Sequence, residues 1–255
     1  MNKKMFEQFF YEKCQNNDVR ANLIRWIPFD RCSDVLEIGA DSYVRSAEIA
    51  SKVNSLTCLT SDMRPYHVDC DNTVVVHNSI NGFLRDCEEK YDVILLLNVL
   101  EHTEDLCDSA EVLLSCKKHL KEDGQIIIAC DNSLGMRYWA GQNQSDRGDL
   151  SFFARIQGEQ TNKSRVQFTK HELECLIAKA DLKYEEFYYP YPCTSYSMAI
   201  YSDSYLPHKG ELNINDYSMG TEYMKLFDVT KAFDTVLEQG MFPFFSNSFM
   251  VYLHV

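Results

Sequence analysis

Three short stretches hold residues whose types and spacing suit chemistry. In Val35-Leu36-Glu37-Ile38-Gly39-Ala40 an apolar run ends in Glu-x-Gly. A buried parallel strand that turns into a helix this way is where α/β sheets hold nucleotides and their relatives. The glycine lets ligand and backbone approach, and the helix end offers free N–H groups. The same glycine also serves a strand-to-helix turn that holds no ligand. The second stretch, Asn98-Val99-Leu100-Glu101-His102, closes another apolar run. Asn98 interrupts that run with an amide that needs a partner, either a ligand or a structural loop. His102 has the unperturbed pKa of a general base near neutrality, and it also reads as a surface residue opening the next helix. The third stretch is Asp131-Asn132-Ser133-Leu134-Gly135, followed by Arg137, Tyr138, Trp139 and Gly141. Its amide, guanidinium and aromatic groups suit a polar, stackable substrate, with Asn132 a catalytic candidate beside His102. An N-capped helix anchored by two aromatic rings is the other reading.

The elements that must position these stretches alternate along the chain. Residues 5–27 have helical spacing and stop at Pro28, which makes 1–30 a helical lead. Runs at 35–40, 55–62, 73–78, 91–102 and 125–130 predict strands. Between them, 44–53 and 104–120 carry helical apolar stripes. Lysines fall in the last turn of the second, and Gly124 stands beyond it as a stop signal. Thr169 and Glu172 form a capping box for a further helix. The pattern predicts an α/β, Rossmann-like, doubly wound sheet that is mostly parallel. The polar segment 132–165 is expected to supply substrate-side loops. The segment 190–246 is long, aromatic and punctuated by proline.

Composition narrows the functional class. The chain has 255 residues, 45% of them hydrophobic and 25% charged, as in a folded globular domain. Its net charge of −13 disfavours a nucleic-acid partner, because an acidic surface repels a phosphate backbone. The ten cysteines are scattered with no C-x-x-C, so they signal neither a zinc site nor a disulfide framework, and no metal is expected. The N-terminus has no apolar core of the signal-peptide kind, and no apolar run is long enough for a membrane span. A cytoplasmic protein with reduced thiols is the expectation.

Taken together, the stretches resemble the class I S-adenosylmethionine-dependent methyltransferases. More narrowly, they resemble the bacterial group found with glycosyltransferases and surface-polysaccharide enzymes. The resemblance runs from about Tyr11 to the end, through 22–40, 71–83, 91–102, 117–141, 168–182, 187–192, 199–207 and 241–249. Its most specific parts are NSLGMRYWAG, YYPYP with YSDSYLP, and FSNSF, in that order. It implies seven strands ending in an antiparallel pair, with 183–189 and 247–254 as the sixth and seventh and 190–246 inserted between them. It implies S-adenosylmethionine as cofactor, held by Glu37, Gly39, Ala40, Asp41, Asp62, Ser79, Asn81 and Asn98. It implies a small-molecule or glycan acceptor met by Arg137, Tyr138 and Trp139, and a glycosyltransferase as partner.

The chain also departs from the family pattern Glu-x-Gly-x-Gly-x-Gly. Asp41 and Tyr43 stand where the second and third glycines belong. Leu59 falls where an acidic residue usually holds the ribose, with Asp62 three positions later. Two readings therefore stay open: an active methyltransferase, and a degenerate one that binds a partner or ligand without methyl transfer. A nicotinamide dehydrogenase is weaker, since only the first glycine of G-x-G-x-x-G is present.

Overall fold

The computed structural model describes residues 18–62, 65–100, 106–142, 168–214 and 226–255. One mixed sheet of eight strands runs through them. In chain order the strands are β1 (Asp34–Ile38), β2 (Ser55–Thr60), β3 (Thr73–His77), β4 (Tyr91–Leu97), β5 (Leu120–Asp131), β6 (Phe187–Tyr191), β7 (Ala199–Ser202) and β8 (Ser248–Leu253). Across the sheet they lie in the order β3-β2-β1-β4-β5-β8-β6-β7. The pairs among β1 to β5 are parallel, whereas β8 joins β5 and β6 antiparallel and β7 joins β6 antiparallel. The order reverses between β1 and β4, which opens a crevice at the carboxyl ends of those strands.

The sheet has one strand more than expected. Residues 199–202, read as part of an insertion, pair with β6 as its outer edge. The sixth strand starts at Phe187 and not at Lys183, which makes only an isolated bridge to His254. Gly124 does not close a helix, because β5 has already begun at Leu120. It sits where β5 bulges past Tyr91, and a Cβ there would lie 3.1 Å from the Tyr91 carbonyl oxygen. β4 ends at Leu97, earlier than its apolar run suggested, because Asn98 turns into the left-handed region at φ 57°.

Helices cover both faces, each set by its own local signals. A short 3-10 turn (Asp18–Ala21) leads into α1 (Asn22–Trp26). α2 (Tyr43–Ala50) is capped by Ser42, which accepts from Arg45 N, and it buries Ser46, Ile49 and Ala50 along one stripe. α3 (Ile80–Asp86) is capped by Ser79. α4 (Leu106–Lys118) ends on Lys117 and Lys118, where cations suit the helix dipole. α5 (Met136–Trp139) is a single turn. α6 (Lys170–Lys179) has the capping box of Thr169 and Glu172. α7 (Val229–Glu238) is capped by Asp228, and α8 (Phe242–Phe245) precedes β8.

The core divides along the sheet. One face is mainly aliphatic near the parallel strands and aromatic near β6 and β8, with Phe187, Tyr189, Phe233, Phe242 and Phe249 all buried. The other is covered by α1 and α2 through Leu23, Ile24, Ile27, Ile49 and Ala50. Cys58, Cys116 and Cys130 are buried free thiols, and burial pushes Cys116 up to about 12. Among the described residues, no helix is long and apolar enough to cross a membrane.

Candidate functional site

The carboxyl ends of β1 to β5 bring the three sequence stretches to one edge of the sheet. At the end of β1, Gly39 has φ +75°, and a Cβ added there would lie 2.5 Å from Val99 Cγ2. The turn therefore needs glycine twice, for its backbone angle and for the close approach of the segment after β4. The N–H groups of Gly39 and Ala40 donate to Leu59 O at 2.8 and 3.0 Å, which ties the turn to β2.

Around this turn lies a cluster of two carboxylates and two guanidiniums. Glu37 is fully buried and accepts from Arg45 Nε at 3.0 Å and from Ser46 Oγ. Arg45 reaches back one turn of α2 and gives its Nη2 to Asp41 Oδ1 at 2.5 Å. Arg20, from the 3-10 turn before α1, donates from Nη2 to Asp41 Oδ2 at 3.0 Å. Desolvation pushes the Asp41 carboxyl up, but Arg45 and Arg20 outweigh it and hold the group below its ordinary value. The Asp41 side chain keeps 47% of its surface exposed, whereas Arg45 and Arg20 are buried. Arg20 Nε is buried and has no partner among the described residues. Such an unspent donor is costly unless something else satisfies it.

Tyr43 turns away from the loop's centre. Its ring stacks on Tyr66 at 4.6 Å, and its hydroxyl donates to Pro65 O at 2.5 Å. The Tyr66 hydroxyl in turn lies 2.7 Å from Ser46 Oγ, beside Glu37.

The remaining candidates divide into engaged and open groups. At the end of β2, Asp62 is partly buried, and its carbonyl meets His77 Nδ1 at 3.0 Å. Ser79 spends its hydroxyl on Gly82 N at 3.1 Å, whereas Asn81 is exposed on the first turn of α3. Asn98 finds its amide partner in Thr194, whose Oγ1 donates to Asn98 Oδ1 at 2.8 Å. Its own N–H donates to Ala129 O at 2.7 Å, placing it against β5. His102 and Glu101 lie outside the described residues, as does 143–165 of the expected substrate-side segment.

The stretch after β5 is an architectural knot. Asn132 is fully buried, and its Nδ2 donates to Phe244 O at 2.9 Å and to Ser246 O at 2.7 Å. Its Oδ1 accepts from Leu134 N at 3.0 Å, so every polar atom of the side chain is spent on the fold. Arg137 pairs with Asp131, donates to the Tyr138 hydroxyl at 2.7 Å, and lies 4.7 Å from that ring's centroid. Tyr138 is buried, and Trp139 gives its indole N–H to Leu134 O at 3.1 Å. Of this trio, only Arg137 keeps a buried atom, its Nε, without a partner among the described residues.

Arg20, Arg45, Tyr66 and Thr194 were not among the sequence candidates. Arg45 was within reach of sequence reasoning, since it stands four positions after Asp41 on a helical segment. Arg20 and Thr194 arrive from distant parts of the chain and leave no local signal.

No protein-family model matches the chain, and no curated protein does. Among solved structures it is similar to a SAM dependent methyltransferase from Archaeoglobus fulgidus, at 16% identity over 97% of this chain and 99% of that one, with a TM-score of 0.55. It is similar to the CcbJ methyltransferase from Streptomyces caelestis, at 14% identity over 94% and 95% of the two chains and a TM-score of 0.53. It is also similar to CalO1, a methyltransferase in calicheamicin biosynthesis, in its SAH-bound form. That match has 16% identity, covers 72% of this chain and 54% of CalO1, and has a TM-score of 0.50. The fold is thus the Rossmann-like, mostly parallel sheet with an antiparallel end that these methyltransferases have.

Proposed function

We propose that the protein is an S-adenosylmethionine-dependent methyltransferase acting on a saccharide or glycoconjugate-type acceptor. The observation that carries the cofactor reading is the Arg20–Asp41–Arg45 cluster at the carboxyl end of β1. A half-exposed carboxylate beside a buried guanidinium with an unspent Nε complements an ammonium and a carboxylate on one small molecule, the amino-acid end of the cofactor. The donor set therefore fits the group, although two glycines of the family loop are replaced. Asp41 and Arg20 would hold the amino-acid end, and Asp62 and Asn81 are assigned to the ribose and adenine side. Glu37, Gly39, Ala40 and Arg45 shape the turn, and Asn98 joins it to the β5 side.

When bound, the cofactor supplies a methyl group on a sulfonium that is transferable in line to an oxygen or nitrogen. The chain's own share is positioning, exclusion of water and proton handling. His102, by its place in sequence after β4, is assigned as the base that takes the proton of an acceptor hydroxyl. Arg137, through its Nε, is assigned to the acceptor side, with Tyr138 and Trp139 bracing it. The glycan acceptor, and a glycosyltransferase as partner, rest on the resemblance of NSLGMRYWAG, YYPYP and FSNSF.

A specific observation favours the second reading, ligand binding without transfer. Both Glu37 oxygens and the Gly39 and Ala40 N–H groups are engaged within the chain. Calorimetric titration with S-adenosylmethionine and S-adenosylhomocysteine separates the two. Micromolar binding, weakened about tenfold or more in Arg20→Gln, is expected for the methyltransferase. A methylated glycan found by mass spectrometry, and lost in His102→Ala, would complete it. Absence of binding at millimolar cofactor would leave the second reading in place.

A further inference from the structure

The edge of the sheet opposite the carboxyl-end crevice holds a cavity of about 390 Å³ that the methyl-transfer reading does not use. It lies between the end of α1 and the antiparallel strands. Trp26, Tyr188 and Tyr252 wall it, with Glu185, Glu186 and Gln125 at its rim. Gln125 faces Val93, close to the start of β4, so the cavity sits at the amino ends of the parallel strands.

The walls are aromatic and already assembled. The Trp26 and Tyr188 rings meet edge to face at 4.9 Å, Tyr188 and Tyr252 at 5.5 Å, and Trp26 and Tyr252 are tilted at 6.3 Å. Trp26 remains 44% exposed among the described residues, which is unusual for a large ring packed on two others. The rim is anionic. Ser204 N–H donates to Glu186 at 3.0 Å and this bonding keeps its carboxyl below the ordinary value, while Glu185 is exposed. Pro28 and His254 complete the lining, so two carboxylates stand there against one imidazole. One polar group of a lining residue is unsatisfied. The Tyr252 hydroxyl is buried and has no hydrogen-bond partner among the described residues.

Ring faces attract cations through their quadrupole, and carboxylates at the rim add to that attraction. A neutral apolar ligand would leave the carboxylates unused, and an anion would be repelled. From these residues we propose that the cavity is a binding site for a small organic ammonium ion, its cationic head against Trp26 and Tyr188 and its polar tail on the Tyr252 hydroxyl. The site is independent of the proposed methyl transfer, so either reading stands if the other fails.

Choline serves as the probe, and 3,3-dimethyl-1-butanol as its uncharged isostere. Titration of the whole chain, followed by tryptophan fluorescence and calorimetry, is expected to give millimolar choline binding, with the isostere about tenfold weaker. Trp26→Ala should remove binding, and Glu185→Gln should weaken it about threefold. Tyr252→Phe should weaken choline but leave tetramethylammonium unchanged. Should Trp26→Ala not fold, the other two variants carry the test. Equal binding of choline and its isostere, choline binding untouched by these substitutions, binding of glucose in place of choline, or no choline binding at 50-fold molar excess over a millimolar concentration would each overturn the proposal.

Discussion

Arg45 after β1 and Arg137 after β5 anchor the carboxyl edge of the sheet, and they are managed differently. At the end of β1, Arg45 serves two carboxylates, Glu37 and Asp41, and Arg20 shares the second. Asp41 remains half open to solvent. At the end of β5, Arg137 serves one carboxylate, Asp131, and aromatic and backbone groups close around the pair. Both members of that pair are largely covered. The first cluster spends its charges on shaping a turn yet leaves the Asp41 carboxylate half open to solvent. The second spends them on locking α5 and the segment before β8 in place. The two clusters therefore differ in the exposure of the carboxylate and not in whether the guanidinium is paired.

The largest effect should come from breaking the two clusters separately. Arg45→Met leaves a fully buried Glu37 facing Asp41 with its main counter-charge gone, and a loss of ~3–5 kcal/mol in stability is expected. Arg137→Met strands one carboxylate that still accepts from Tyr138 and Ser248, so about half that loss is expected. Urea denaturation of both variants measures the difference. Equal losses would mean that the clusters are energetically alike and that the contrast drawn above is superficial.

A smaller effect probes the turn itself. Gly39→Ala imposes a side chain at φ +75° and a contact at 2.5 Å with Val99 Cγ2, at a cost of about 2 kcal/mol. Adding Val99→Ala removes the contact but not the backbone penalty. The double variant should recover part of the cost relative to Val99→Ala alone, read as a coupling energy in a mutant cycle. Full additivity would show that the two loops do not press on each other.

The smallest effect supplies the baseline for a partly exposed ion pair. Lys121 bonds Asp34 at 2.6 Å and, with Ser55 and Asn54, holds that carboxyl at about 2 against an ordinary 3.8. The folded value is depressed, so its stabilisation is complete above pH 3.8 and is lost as pH falls toward 2. After discounting for solvent screening, Lys121→Met should cost about 1 kcal/mol near neutrality and flatten the acid-side loss of stability. A cost matching that of Arg45→Met would overturn the argument from burial.

The sheet was legible because its inner parallel strands are short apolar runs, as in YDVILLL, and strands of that kind are separated by helical stripes. The ends of elements were less so. β4 stops at Asn98 because of a left-handed backbone angle, and β5 starts early because a bulge takes up Gly124; neither changes the hydrophobic pattern. The edge strand Ala199–Ser202 is short and only partly buried, so its alternation is weak. In the site, Glu37 and Gly39 were visible as a motif. Their partners were not, since Arg20 and Thr194 meet the turn and Asn98 only through the tertiary fold. Asn132 carries two readings in sequence because a structural amide and a reactive amide share one residue type, and its three backbone partners come from tertiary contacts that sequence does not display.

The segment from Asp18 to Trp26 touches three otherwise separate parts of the molecule. Arg20 reaches Asp41 in the turn after β1, Asn22 Nδ2 donates to Ser197 O at 2.9 Å, and Trp26 lies against Tyr188. In the language of modular inheritance, the sheet from β1 onward is not a transplantable unit. A recombination event or a chimera that joined foreign sequence at Asp34 would carry the whole Rossmann-like scaffold and still lose a charge from one binding region and a wall from another. Selection on either region would then act through the same nine residues, Asp18 to Trp26.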